Sequence, residues 1–522
     1  MNVLSSSGQS SLHLTAEMVH ALAVHEHVCV RPVLRTVTDR ATGARATVAI
    51  ACGSTRDSKC PPCAHKARVL RMHQCAEGWH LAEEPADDPA PEDLEGQLKD
   101  DDQGVDLENE DDGSRRVRST RRRQDATDLP KVATEDRTIG RSFDAPEGKT
   151  YRPSMFVTLT LPSYGKVIPG AGTPERPASY DYRRAALDAL HFPKLVDRWV
   201  QNLRRCAGYK VQYFSAIEAQ RRLAPHLHAA IRGAIPRATI KAVTKATYLQ
   251  LWWPPFDDPV YVDRLPMWDR DGRCYRDLNS GRALRTWEQA LDDLGADPDA
   301  QPAHVMRFGA QVDMQGILGG TPDADRAVRY LTKYLTKSVA DTHTDPTTGQ
   351  QDPRMVAHVD RLHAEVRWLP CTPECANWLR YAIQPRDPGP GLVPGSCVGK
   401  AHDRENLGLG GRRVLASRKW SGKTLTEHRA DRAAVVRAAL EAAGMDAPQA
   451  DRCAAAVLHT DGRPRFVWEQ VPVTGADYVD VLTASILERR RWRHQYQTAK
   501  AATGPPGAVD SRSATPTAAP AA

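Results

Sequence analysis

No stretch of about eighteen apolar residues occurs anywhere in this 522-residue chain, so no membrane-spanning helix is expected. The N-terminus lacks a basic flank followed by an apolar segment, which removes the ground for a secretory signal and leads to the expectation of a cytoplasmic protein. An even complement of cysteines is missing too. Eleven, with one CxxC pair among them, fit metal-binding or free thiols in a reducing compartment better than a disulfide framework. No internal repeat is evident. Ser417–Thr424 (SRKWSGKT) ends like a phosphate-binding loop but has no first glycine, and the glycines are what let backbone amides cradle phosphates, so ATP binding is not expected.

What is present is unevenly spread. The net charge of +6 hides a segment, Glu83 to Asp112, that holds fifteen acids against one lysine; removing it leaves +20 on the remainder. Such a remainder suits a polyanionic partner such as DNA. The length suggests two to four domains, and composition divides the chain as follows. Residues 1–82 read as a small Cys-rich, zinc-ribbon-like module with strand-like stretches. Residues 83–148 have too few apolar side chains to offset chain entropy and read as a disordered linker, acidic first and then arginine-rich. Residues 149–345 alternate strand and helix signals, 346–430 form a basic Cys-containing extension, 431–498 are helical, and 499–522 are an Ala, Pro, Ser and Thr tail. The class expected is α+β.

Within residues 149–345, Met155–Leu161 alternates, is β-branched and is stopped by Pro162, so it predicts a strand. A helix over about 187–207 precedes two strands, about 210–219 and 226–232, whose short connection predicts an antiparallel hairpin. His226 and His228, one residue apart on the second strand, project from one face and make a two-imidazole claw. Two neutral imidazoles leave positions open for a third ligand and for substrate oxygens. Glu218, on the preceding strand, is the best third ligand, and Gln220 is the neighbouring alternative.

About a hundred residues on, Tyr330–Lys337 (YLTKYLTK) reads as a helix. At about 100° per residue, Lys333, Tyr334 and Lys337 fall within roughly 60° of Tyr330, while Ala324, Val328, Leu331, Leu335 and Val339 form a separate apolar stripe. Both tyrosines therefore stand beside ammonium groups rather than in the core. A phenol is a weak nucleophile near neutrality, but Lys333 and Lys337 would favour the phenolate and offset phosphate charge. A metal claw with a tyrosine nucleophile is chemistry for covalent attack on a phosphodiester.

Phe156–Thr160 (FVTLT), then His226–His228, then the tyrosine segment resemble the three ordered motifs of rolling-circle replication initiators, the HUH endonucleases. Two tyrosines four residues apart are similar to the two-tyrosine initiators of small single-stranded DNA phages. Cys52–Ala64, Arg222–Gly233, Pro370–Pro385 and Arg413–Arg432 further resemble the RepSA-type initiators of actinobacterial plasmids and integrative conjugative elements. The likeness runs from about Cys29 to Arg432, apart from the acidic linker. It implies an HUH fold, with helices flanking a central antiparallel sheet and the His pair on a middle strand. It also implies nicking at a double-strand origin, a 5′-phosphotyrosine, a 3′-OH primer and rejoining at termination, with Mg2+ or Mn2+ as the working ion. Tyr330 is the favoured initiating nucleophile, with Tyr334 as its alternative. A host helicase, polymerase and single-strand binding protein would be partners beside double- and single-stranded origin DNA. A conjugative relaxase or HUH transposase would use the same chemistry on another substrate, and a zinc-ribbon DNA-binding regulator is the competing reading from a different class.

Cys52, Cys60 and Cys63 call for a fourth thiolate to hold structural zinc. Cys29 and Cys75 are the candidates; Cys29 is favoured because zinc ribbons draw ligands from separate turns and because RepSA-type proteins look similar there. Cys371 and Cys375, one helical turn apart, have no evident partner pair and are read as structural. Trp252 and Trp253 could stack on unpaired bases, although burial in a core is favoured.

Overall fold

The computed structural model describes residues 15–81, 83–85, 129–144, 150–333, 335–339, 352–410, 413–442, 457–471 and 475–503. Contacts divide the chain into two compact units, Met1–Leu70 with Leu425–Ala522, and Arg71–Thr424. This grouping cuts across the segments seen in composition. Residues 352–410 and 413–424 fall with the strands that precede them, and the C-terminal helices fall with the N-terminal module. Acidic-linker residues 86–128 lie outside the described residues.

In the first unit, strands Val33–Asp39 and Arg45–Ile50 pair antiparallel, and Phe466–Val471 joins the other edge of Val33–Asp39. That third strand closes the sheet from more than 400 residues away, which local sequence signals cannot announce. Helix Ala16–His25 is capped by the Thr15 hydroxyl on the Met18 amide. It buries Val19 and Ala23 with Leu482 and Ile486 of helix Gly475–Thr503. Buried Glu26 accepts from Arg490 at 2.9 Å and Arg493 at 2.8 Å, and these guanidinium groups hold its carboxyl below the usual range. Two of the arginines in the run Arg489, Arg490, Arg491 and Arg493 are therefore spent inside the unit.

The second unit is α+β around a five-stranded antiparallel sheet. Its strands lie in the order Val312–Leu318, Pro153–Leu159, Pro225–Arg232, Tyr213–Ala219, Val414–Ala416. The His strand Pro225–Arg232 is in the middle, as expected, and the predicted hairpin with Tyr213–Ala219 is present, with Leu223 in the left-handed region at the turn. Alternation assigns each face. Met155, Val157, Leu159, Ile217, Leu227, Ala229 and Ile231 pack toward the long helix Tyr182–Ala207, which starts five residues earlier than its apolar pattern suggests because Asp181 caps it. On the opposite face, Phe156, Phe214, Ala216, Ala230 and Ile317 meet Ala324, Val328 and Leu331 of helix Pro322–Leu331. The His pair belongs to that second face.

The phosphate-loop mimic is consumed by packing. Trp420 is fully buried between Phe214 and Trp79 and donates to the Cys75 carbonyl at 3.2 Å. Gly78 makes room for its ring, since a Cβ there would come within 2.3 Å of the indole. Ser417 accepts from the Tyr213 amide and Lys423 pairs with Glu77. Trp253 is buried against Trp287 and Trp378, in the core role, whereas Trp252 is half-buried and bonds Gln250.

Candidate functional site

Register brings the claw together. Glu218 sits directly across from His226, and Thr158 directly across from His228 on the other neighbouring strand. One ligand atom each of Glu218, His226 and His228 lies within 4.8 Å of the others. The two imidazole Nε2 atoms are 2.7 Å apart and the Glu218 Oε2 is 3.8 Å from His228 Nε2. The Thr158 hydroxyl lies 2.9 Å from His228 Nδ1, so it orients the ring with Nε2 facing the claw. Phe156 stacks on the same imidazole. The neighbouring alternative, Gln220, is drawn away by Arg222, to which its side-chain oxygen is 2.8 Å.

Burial sets the charge states. It pushes the Glu218 carboxyl up to about 7, against the opposing pull of Arg413 and Lys333. Desolvation, with His226 adding to it, pushes His228 down to about 3, so the imidazole is neutral near neutral pH. The 3.8 Å approach of Glu218 to His228 is therefore no ion pair. Glu218 Oε1 is buried without a hydrogen-bond partner, and two imidazole nitrogens converge on the same space. This donor set, one carboxylate and two imidazoles, fits a divalent cation.

The tyrosine segment differs from its projection. Helix Pro322–Leu331 ends at Leu331, with Thr332 as its cap, rather than continuing through Lys337. The Thr332 hydroxyl bonds back to the Val328 carbonyl at 2.9 Å and the Lys333 amide closes onto the Tyr330 carbonyl at 3.1 Å, which tightens the chain into a turn. Lys333 and Lys337 are both exposed but do not continue a helical stripe; Tyr334 lies outside the described residues. The apolar stripe holds where the helix exists, with Ala324, Val328 and Leu331 buried. Tyr330 is 45% exposed, and its hydroxyl is 3.4 Å from His228 Nε2. Its ring meets the His228 and Phe156 rings edge-on.

Three supporting groups were not singled out in the sequence. His80 Nδ1 accepts from the Gly320 amide and its Nε2 lies 3.1 Å from Asp325, fixing the start of the tyrosine helix. Arg413, buried, donates to the Ile217 and Lys337 carbonyls and sets its charge beside Glu218. Thr158 stood inside a quoted motif without a role of its own. Arg413 stood at the start of a quoted stretch, likewise without a role of its own.

In the first unit, Cys29, Cys52, Cys60 and Cys63 bring their sulfurs within 4.8 Å of one another. Cys29 and Cys60 are 3.8 Å apart, and the Cys52 amide donates to the Cys29 sulfur. Cys60 immediately precedes helix Pro61–His80 and Cys63 lies in its first turn. Cys75, fully buried with Trp79 and Trp420, stands in a different cluster, where burial holds its thiol protonated.

Residues 15–488 match a family described as "Replication initiator protein, pSAM2" (RepSA). The chain belongs to this family. A curated relative named "Replication initiator protein", from Streptomyces ambofaciens, is 26% identical over 236 residues, which is 38% of this family member and 46% of the relative. The match thus spans about half the length of the relative. No solved structure matches this RepSA member. Among its described residues no helix is long and apolar enough to cross a membrane.

Proposed function

We propose that this RepSA member starts rolling-circle replication by nicking one strand of its origin through attack of a tyrosine on a phosphodiester, as an HUH endonuclease. The observation that carries the reading is the Tyr330 hydroxyl poised 3.4 Å from His228 Nε2, over a buried Glu218–His226–His228 group. A divalent ion, Mg2+ or Mn2+, held by those three side chains would withdraw charge from a phosphoryl oxygen and orient the scissile bond.

The chain's own groups do the rest. Tyr330, exposed at the end of its helix, can be reached by a single strand laid across this face. As its oxygen bonds to phosphorus, the P–O3′ bond breaks; the departing oxygen takes a proton and becomes the 3′-OH primer, while the 5′ end stays on tyrosine. Lys333, and Lys337 beyond it, would offset phosphate charge. The reverse attack of a 3′-OH on the phosphotyrosine rejoins the strand, with Tyr334 available for the second transfer. Origin DNA is thus the proposed partner, in both duplex and single-stranded form, with unwinding and synthesis left to a host helicase, polymerase and single-strand binding protein. The Cys29, Cys52, Cys60 and Cys63 group is proposed to hold structural zinc, since its four sulfurs lie within 4.8 Å of one another and Cys29 and Cys60 stand 3.8 Å apart.

Incubating the protein with single-stranded oligonucleotides that tile the cognate origin tests this. Chelator-sensitive cleavage with protein left on the 5′ end is expected. Sequence-specific binding without cleavage would instead make the protein a DNA-binding regulator.

A further inference from the structure

Cys371 and Cys375 do acquire partners. The fold brings Cys397 and His402 to them, and one ligand atom from each of the four lies within 4.8 Å of the others. Cys371 and Cys397 are 4.0 Å apart at sulfur, and the Cys375 sulfur is 3.5 Å from His402 Nε2. Ligands of a tetrahedral zinc, with Zn–S near 2.3 Å and Zn–N near 2.0 Å, stand about 3.5–3.8 Å from one another. A disulfide would need about 2.05 Å.

We propose that Cys371, Cys375, Cys397 and His402 form a second structural zinc site, separate from the Cys29 group and from the histidine claw. The surroundings are those of a built site. His402 Nδ1 donates to the Val366 carbonyl at 2.8 Å, which fixes the tautomer that leaves Nε2 as an acceptor facing the sulfurs. The Gly399 amide donates to the Cys397 sulfur at 3.4 Å, the kind of bond that stabilises a thiolate ligand. A Cβ at Gly399 would stand only 3.3 Å from the Cys371 sulfur and 3.4 Å from that of Cys397, so glycine is what lets the backbone close over the cluster.

The site joins segments that also meet through Asn377 on the Arg367 and Leu369 carbonyls and Arg404 on Asp360. Cys371 follows helix Pro353–Trp368, Cys375 opens the short 3-10 helix Ala376–Tyr381, and His402 closes another, Lys400–His402. Three residues past His402, the Glu405 carbonyl accepts from the Val339 amide at 2.8 Å, and the same stretch runs on to Arg413. A zinc here would therefore anchor the loop that braces the exit of the tyrosine segment. It does not depend on the nicking chemistry.

The test is metal content together with cysteine mapping on the full-length protein. About two tightly held zinc ions per chain are expected after dialysis, falling by about one in Cys371→Ser, by about one in Cys60→Ser, and unchanged in His228→Ala. His402→Cys, which keeps a ligand, should retain both. The wild-type protein needs no variant for the second arm: Cys371, Cys375 and Cys397 should resist alkylation until a strong chelator is added, then react together as one zinc is released. Undiminished zinc in Cys371→Ser, prompt alkylation of the three thiols in untreated protein, or a Cys371–Cys397 disulfide would each overturn the assignment.

Discussion

The histidine pair lies on the middle strand of a five-stranded sheet with a partner on either side, whereas Tyr330 lies one residue before the end of a ten-residue helix and is 45% exposed. His228 is bounded by Thr158, Phe156, Glu218 and His226, and moving it would break strand register. Tyr330 is held by the packing of three small or branched residues beneath it and by a turn that begins at Thr332. The contrast suits a site in which the binding half is rigid and the attacking half must be open to a polymer substrate. On the proposed function, the claw would fix where phosphate goes, and the exposed tyrosine would be open to DNA.

The largest expected effect falls on the exposed side. Tyr330→Phe should abolish the covalent DNA adduct of the initiating reaction, seen as loss of the shifted band on a denaturing gel, with stability unchanged because the hydroxyl is not part of the core. An undiminished adduct in this variant would move the initiating role to Tyr334. Next is the support of that tyrosine. Leu331→Ala removes a fully buried side chain and should cost about 2–5 kcal/mol of stability, read as a lower denaturation midpoint, with nicking reduced as well. On the rigid side, Thr158→Val keeps the shape but removes the bond to His228 Nδ1. It should weaken metal affinity or activity about 10- to 100-fold, with a higher metal concentration restoring rate. The smallest effect is predicted at Lys333→Gln, an exposed cation whose loss should slow nicking a few-fold, most visibly at low salt, because solvent and ions screen it. If Lys333 proved as critical as Tyr330, the nucleophile would be less solvated than its exposure implies.

The rigid half was also the legible half. Alternation over Phe156–Leu159 and His226–Ile231, with a five-residue connection after Ala219, contains strand and hairpin in local sequence, and His226 and His228 could be placed on one face at once. The end of the tyrosine helix was not legible, because YLTKYLTK keeps helical periodicity through Lys337 while the Thr332 hydroxyl and the Lys333 amide turn the chain after Leu331. Long-range closures were equally hidden. Strand Phe466–Val471 has no local sign that it will pair with Val33–Asp39, nor Val414–Ala416 that it will border Tyr213–Ala219. The two cysteine groups divide in the same way. Cys60 and Cys63 declare themselves by CxxC spacing, whereas Cys371 and Cys375 find Cys397 and His402 only through the path of the loop between them.

Identifying the residue that becomes covalently joined to DNA tests the central claim most directly. After reaction of the full-length protein with a cognate origin oligonucleotide in Mn2+, nuclease trimming and peptide mass spectrometry should find a nucleotide phosphate on Tyr330, and none when His228 is replaced by Ala. A cleaved strand with a free 5′-phosphate and no nucleotide on either Tyr330 or Tyr334 would contradict it.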